Sequence, residues 1–164
     1  SVNPGAMLKA LNQEIVYRFS TGRDETVKHG MDIAIISIDM QAQQLEYAGA
    51  RNSLYIIREG RLIEIKADRM STGIIAKNQE TIVYTNQLHD LQKDDMLYLF
   101  SDGFPDQKGG PDKKKFFYQP FKELLISISQ LPVNEQKQKL DETITTWMGE
   151  GEQVDDILIM GIRC

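Results

Sequence analysis

The chain has 164 residues, of which 41% are hydrophobic and 26% charged, and this length and composition predict one globular domain with its own core. The 19 Lys and Arg residues are outnumbered by 24 Asp and Glu, and the net charge of −5 disfavours a nucleic-acid-binding surface. No apolar run approaches the roughly 20 residues of a membrane helix, so we expect no membrane contact by this domain.

The first predicted element is a helix from Pro4 to Phe19. Asn3 is predicted to cap it, and Pro4 suits its first position. Apolar residues recur at helical spacing and predict one buried stripe: Met7, Leu8, Leu11, Ile15 and Phe19. The polar stretch from Ser20 to Lys28 is predicted to be a loop.

The apolar pattern then changes to that of strands. The run 32–39 is almost continuously apolar, as expected of a central strand. Glu59-Gly60 predicts the tight turn of a hairpin, and Asp94-Asp95 predicts another turn. Strands are predicted over residues 32–39, 44–50, 53–58, 61–66, 81–85, 88–91 and 96–101.

The stretch from Gly103 to Lys115, rich in Gly, Pro and Lys, is predicted to be a loop. Helices are predicted over 120–130 and 133–148, and a last strand over 157–162. Asn134 is the predicted cap of the second helix, which Gly149 ends. Because strands follow strands without a repeating βαβ unit, the predicted fold class is α+β, with antiparallel strands and helices on the outer faces.

The only cysteine, Cys164, is the last residue, so no disulfide can form within the chain. The first residues have neither the basic start nor the apolar stretch of a signal peptide. Both features favour a reducing compartment, and we expect a cytoplasmic location.

Acidic residues stand at the ends of two predicted strands that are far apart in sequence. Asp102 directly follows the strand 96–101, and Asp155 and Asp156 directly precede the strand 157–162. Antiparallel pairing of these strands would bring Asp102 and Asp155 together. Close carboxylates repel unless a proton or cation separates them, and oxygen ligands without His or Cys suit Mg²⁺ or Mn²⁺. The alternative, an ordinary turn at Asp102-Gly103 and a solvated strand start at Asp155-Asp156, stays open on spacing alone.

Other candidate sites are weaker. His29 and His89 are far apart and lack the partners of a zinc site. No phosphate-binding P-loop and no Gly-x-Ser-x-Gly nucleophile motif occurs. The run Lys113 to Lys115 is interpreted as a basic loop that could attract an acidic, phosphorylated partner, and we expect no nucleic-acid partner.

Four motifs in a fixed order resemble the sporulation-type (SpoIIE-like) metal-dependent serine/threonine protein phosphatases, which are related to type 2C. They extend over essentially the whole chain: Met31-Asp32-Ile33, the run 45–52, Ser101-Asp102-Gly103 and Asp155-Asp156-Ile157. The segment 101–107, with Gly109-Gly110-Pro111 after it, is similar to a bacterial subgroup often joined to sensory or repeat domains.

The resemblance implies a sandwich of two antiparallel sheets flanked by helices, with a two-metal centre of Mn²⁺ or Mg²⁺ at one end. A water made acidic by the metals would attack the phosphorus of phosphoserine or phosphothreonine. Asp102 and Asp155 match metal ligands of the family. Asp156 matches a position that is usually one step removed from the metal, and Gly103 would let the backbone approach closely.

The chain departs from the family pattern in two ways. The family places an Asp-Gly motif, whose Asp bridges both metals, before the helix that starts here near Pro4, and no such motif precedes Asn3. Arg51 and Ser53 replace a common His and a common Pro. We therefore expect residues 1–164 to be the C-terminal major part of a larger phosphatase domain, with weak Mn²⁺ binding, little activity alone, and exposed sheet edges that favour a homodimer.

Three functions fit these observations. The first is a phosphatase domain in bacterial signalling, driven by an upstream sensory or repeat region and acting on a phosphorylated regulatory protein such as an anti-sigma-factor antagonist. The second is a non-catalytic pseudophosphatase that serves as a protein-interaction module. An Asp-Gly motif upstream in the parent gene would favour the phosphatase, and its absence would favour the pseudophosphatase. The third is a generic α+β interaction domain, in which Asp102→Asn would leave metal titration unchanged.

Overall fold

The computed structural model describes residues 2–20, 30–73 and 82–164, with the backbone alone for 19 and 20. The predicted loop from Ser20 to Lys28 lies outside these ranges except for Ser20, as do His29 and Thr81. Two compact units make up the chain, one formed by residues 1–54 and 65–91 and the other by residues 55–64 and 92–164. The prediction of a single domain stays a prediction.

The first unit consists of helix α1 (Pro4–Ser20) and a three-stranded antiparallel sheet in the order β1 (Ile33–Asp39), β2 (Gln44–Ala50), β5 (Gln87–Asp90). The side-chain oxygen of Asn3 accepts from the Ala6 backbone N–H at 2.8 Å, which confirms the predicted cap. One core cluster of the described residues in this unit is largely aliphatic: Leu8, Ala48, Ala50, Ile82 and Tyr84, with Ile33 and Ile35 packed against it.

The second unit carries a four-stranded sheet in the order β4 (Arg61–Ile65), β3 (Leu54–Arg58), β6 (Met96–Phe100), β9 (Ile159–Arg163). Glu59 and Gly60, with φ of 49° and 72°, form the predicted turn between β3 and β4. Helices α3 (Tyr118–Ile128) and α4 (Val133–Met148) complete the unit. Gly149, with φ of 58°, ends α4 as predicted.

The core of the second unit is aromatic. Phe100 and Phe104 pack on Phe121 with ring centroids 5.2 and 4.9 Å away, and Tyr55 packs on Phe100 at 4.6 Å. Since aromatic side chains bury large apolar areas, this cluster supplies much of the unit's stabilisation. Phe104 belongs to the segment that directly follows Asp102, so the core anchors the chain beside the candidate site.

The α+β fold class is confirmed, with antiparallel pairing between the strands of each sheet. Three local predictions were wrong. Residues 103–115 include a short helix, α2 (Gly103–Asp106), and a ribbon of β7 (Lys108–Gly109) and β8 (Lys114–Lys115), where a loop was predicted. Residues 82–85 form no strand. Asn134 lies inside α4, whose N-cap is Pro132.

Candidate metal centre

The end of β6 and the start of β9 lie side by side. These strands pair antiparallel with Phe100 opposite Ile159, and the Ser101 backbone N–H donates to Leu158 O at 3.0 Å. Asp102 lies two residues after the end of β6. Asp155 and Asp156 lie four and three residues before β9, which starts at Ile159 and not at the predicted residue 157. The three carboxylates therefore belong to the same end of this sheet.

Ser101 and Gly103 hold the backbone of Asp156. The Ser101 hydroxyl donates to Asp156 O at 2.7 Å and accepts from the Leu158 backbone N–H at 2.9 Å. A Cβ atom on Gly103 would lie 2.3 Å from Asp156 O, so no larger residue fits without a backbone shift. The Ser101-Asp102-Gly103 motif thus fixes the chain that leads into β9.

Asp102, Asp155 and Asp156 are exposed. Asp102 is the N-cap of α2 and makes no side-chain capping bond, although its backbone oxygen accepts from the Asp106 N–H at 2.9 Å. The Asp155 carboxylate accepts from the Asp156 backbone N–H at 2.7 Å. Within the described ranges, none of the three carboxylates forms an ion pair.

Sequence reasoning did not identify Gln107, which is fully buried beside this site. Its side-chain amide donates to Glu152 O at 2.9 Å and accepts from the Val154 backbone N–H at 3.2 Å. These bonds reach the segment that leads into Asp155. A buried glutamine in a stretch rich in polar residues has no periodic signature, so only its place in the motif 101–107 could have drawn attention to it.

Arg51 and Asp32, which contribute to the motifs, lie in the first unit. Arg51 Nε lies 3.6 Å from Asp32 Oδ2, and the Ser71 hydroxyl donates to the other oxygen of that carboxylate. Arg51 has a φ of 64°, a left-handed conformation that is uncommon for residues other than glycine. These side chains therefore form a polar cluster at one end of β1.

The other candidates from the sequence, His89 and the basic run Lys113 to Lys115, lie away from the three carboxylates in sequence and have contacts of their own. His89 lies on β5, burial lowers its pKa, and its Nε2 is buried without a hydrogen bond to any described residue. In the basic run, Lys114 Nζ lies 2.9 Å from Asp112 and Lys115 Nζ lies 2.9 Å from Asp106. Two of the three lysines are thus locally neutralised.

The donor set at the end of the β6–β9 pair is made of carboxylate oxygens, which suits a hard divalent cation. In the part of the chain that the structure describes, no three His, Cys, Asp or Glu side chains are grouped closely enough to hold a metal ion. A cation bound by these carboxylates would therefore take most of its ligands from water, as Mg²⁺ commonly does.

A sequence model of the Stage II sporulation protein E (SpoIIE) family matches residues 1–164. No curated protein gives a significant match. None of the helices in the described ranges is both long and apolar enough to cross a membrane.

Solved phosphatase domains share the fold. The SiaA-PP2C domain of Pseudomonas aeruginosa matches with a TM-score of 0.87 and 29% identity over 99% of this chain and 61% of that one. The PP2C domain and regulatory fragment of SpoIIE from Bacillus subtilis match with a TM-score of 0.61 and 17% identity, over 96% of this chain and 49% of that one. The catalytic domain of the phosphatase PstP, in complex with two manganese ions, matches with a TM-score of 0.66 and 17% identity, over 94% of this chain and 67% of that one.

Proposed function

The chain belongs to the Stage II sporulation protein E (SpoIIE) family, and from that membership we propose that it is a phosphoserine/phosphothreonine protein phosphatase domain of a bacterial signalling protein. One observation carries the proposal. The pairing of β6 with β9 brings Asp102 and the pair Asp155-Asp156 to one end of a sheet, where they are exposed to solvent.

The proposed metal ligands are Asp102 and Asp155. Asp102 lies two residues after the end of β6. Asp155 lies in the segment before β9, which hydrogen bonds from Ser101 and Gln107 hold. Asp156 is a weaker candidate, because it matches a family position that is usually one step removed from the metal. Gly103 contributes by allowing the two segments to approach closely.

The proposed cofactors are two Mn²⁺ or Mg²⁺ ions, which would supply an acidified water as the nucleophile for phosphate ester hydrolysis. The carboxylates of the chain would hold and orient these cations. Because the described residues offer few ligands, we expect the 164 residues alone to bind Mn²⁺ weakly and to hydrolyse phosphoproteins slowly.

The proposed partner is a phosphorylated regulatory protein, and the proposed location is the cytoplasm. We expect residues 1–164 to be part of a larger phosphatase domain joined to a sensory or repeat region. A homodimer through a sheet edge is also proposed, because β9 ends its sheet and its Met160 is exposed, as is Leu158 directly before the strand. Size measurement in solution would detect it.

The test compares the wild type with Asp102→Asn, Asp155→Asn and a control, Asp141→Asn, an exposed aspartate on α4. Mn²⁺ binding is measured by titration calorimetry, and phosphate release is measured with phosphoserine peptides. We expect loss of a ligand to weaken Mn²⁺ binding by at least about 10-fold, since even the indirect partners of metal ligands have effects of that size. Equal Mn²⁺ binding by all four proteins would refute the proposed centre.

The second candidate is a pseudophosphatase that acts as a protein-interaction module. The absence of a three-residue ligand group among the described residues favours it. Metal-dependent phosphate release that is lost in Asp102→Asn excludes this candidate. Binding of a partner with no release under any metal condition would support it instead.

A further inference from the structure

The segment between α4 and β9 has no backbone ladder to hold it. Residues 152–158 belong to no helix or strand, although this segment contains Asp155 and Asp156. Its position must therefore be set by other contacts. Ser101 provides them on the side of β9, at Asp156 and Leu158.

Gln107 provides the contacts on the other side. Its Nε2 donates to Lys108 O at 3.0 Å and to Glu152 O at 2.9 Å, and its Oε1 accepts from the Val154 N–H at 3.2 Å. Both amide hydrogens and the amide oxygen are thus used. The side chain has 0% exposure, so water cannot replace these bonds.

Gln107 is itself fixed by its backbone. Its carbonyl oxygen accepts from the Phe116 N–H at 2.9 Å and from Trp147 Nε1 at 3.0 Å. The neighbouring ribbon packs closely on the end of α4, where Gly110 N donates to Trp147 O at 2.8 Å. A Cβ on Gly109 would lie 1.9 Å from the same oxygen. Gln107 is therefore a fixed point from which the segment is held.

We infer that Gln107 is a positioning residue for the candidate metal centre: it holds residues 152–154 so that Asp155 is placed to bind a cation. The inference rests on the proposed function. Groups that orient metal ligands without touching the metal change its affinity by about 10–100-fold. Gln107 acts through the backbone that precedes the ligand, and Ser101 acts through the backbone that follows it.

The chain offers a matched control in Gln136, a second buried glutamine of the same unit with 2% exposure. Its side chain accepts from Tyr98 OH at 2.6 Å and donates to Leu131 O at 2.8 Å. No hydrogen bond links it to residues 152–156, all of which are described. Methionine replaces glutamine with similar length and removes these hydrogen bonds, so Gln107→Met and Gln136→Met are compared in the full chain.

We expect Gln107→Met to weaken Mn²⁺ binding by about 10-fold in titration calorimetry and to speed amide hydrogen exchange over residues 152–156. Gln136→Met should lose thermal stability but keep the wild-type Mn²⁺ affinity and exchange in that segment. Equal Mn²⁺ affinity in the wild type and Gln107→Met overturns the inference, as does equal loss in both variants. If the wild type binds no Mn²⁺, the proposed metal centre fails too, and hydrogen exchange then reports separately whether Gln107 holds the segment.

Discussion

The carboxylates at the two ends of the β6–β9 pair differ in burial and in ion pairing. At one end, Asp95 is buried with 0% side-chain exposure, and Arg58 binds both its oxygens at 2.8 and 2.7 Å. At the other end, Asp102 and Asp155 are exposed and form no ion pair within the described residues. A carboxylate that stabilises the fold is thus buried and fully paired, whereas a candidate ligand is left accessible to a cation from solution.

The largest expected effect is at the buried end. Asp95→Ala removes a buried carboxylate that accepts from the Arg58 guanidinium and from the Gln92 N–H. We expect a loss of about 3 kcal/mol in the free energy of unfolding, at the low end for buried pairs because Arg58 is partly exposed. Urea denaturation measures it. The double variant with Arg58→Met should recover part of the loss, and a single-variant loss below about 1 kcal/mol would contradict this role of Asp95.

Glycine substitutions at the exposed end and in the middle of the β6–β9 pair, where Gly161 lies opposite Tyr98, sharpen the comparison. Gly103→Ala places a Cβ 2.3 Å from the rigid backbone oxygen of Asp156, and overpacking of this kind costs about 1–3 kcal/mol. Gly161→Ala brings a Cβ to 2.6 Å from Met96 Cε, the flexible end of a side chain. Urea denaturation should therefore rank Gly103→Ala as the more destabilising variant. The opposite ranking would show that the Ser101-Asp102-Gly103 turn can shift readily.

Metal should act on the exposed end alone. At ten times its dissociation constant, Mn²⁺ is expected to raise the free energy of unfolding by about 1.4 kcal/mol, since a ligand that binds only the folded chain stabilises it by mass action. Asp102→Asn at the same Mn²⁺ concentration should gain less. Mg²⁺ and Mn²⁺ titrations followed by thermal unfolding measure this, and an equal gain in both proteins would argue against cation binding at Asp102.

The smallest expected effect is that of Asp102→Asn without metal. The side chain is exposed and makes no capping bond, so the free energy of unfolding should change by less than about 0.5 kcal/mol. Urea denaturation in the presence of a chelator measures it. A loss comparable with that of Asp95→Ala would mean that Asp102 serves the fold and would break the contrast between the two ends.

Elements whose buried face shows as a regular spacing of apolar residues could be predicted from the sequence. Helix α4 was predicted over its observed range, 133–148, because Leu140, Ile144 and Trp147 recur at helical spacing. The return of the last strand beside an earlier one, and with it the placement of Asp102 and Asp155-Asp156 at one end of the sheet, followed from the order of elements.

The predicted strand at 81–85 shows where pattern reasoning failed. Ile82 and Tyr84 are buried and Val83 is exposed, which is the alternation of a strand. Their burial comes from packing in the cluster of Leu8, and the Thr85 N–H donates to the Asp68 carboxylate at 2.6 Å. An alternation of buried and exposed side chains indicates that one side of a segment is buried. It does not indicate whether the segment pairs with a neighbouring strand.

The role of Gln107 could not be predicted for a related reason. Its hydrogen bonds to Glu152 and Val154 span 45 and 47 residues, and the sequence between them has no pattern that records such a contact. The carboxylates were identified because strand ends are visible in the apolar pattern. The side chain that holds the neighbouring backbone is apparent only in the folded structure.

Trp147 is the chain's only tryptophan, and its indole N–H is bonded to the Gln107 carbonyl. The intrinsic fluorescence of the protein consequently comes, apart from tyrosine, from one ring next to the residue that holds the segment before Asp155. Emission wavelength and quenching should respond to local loosening there before global unfolding. The fold thus contains its own optical probe, one that needs no label.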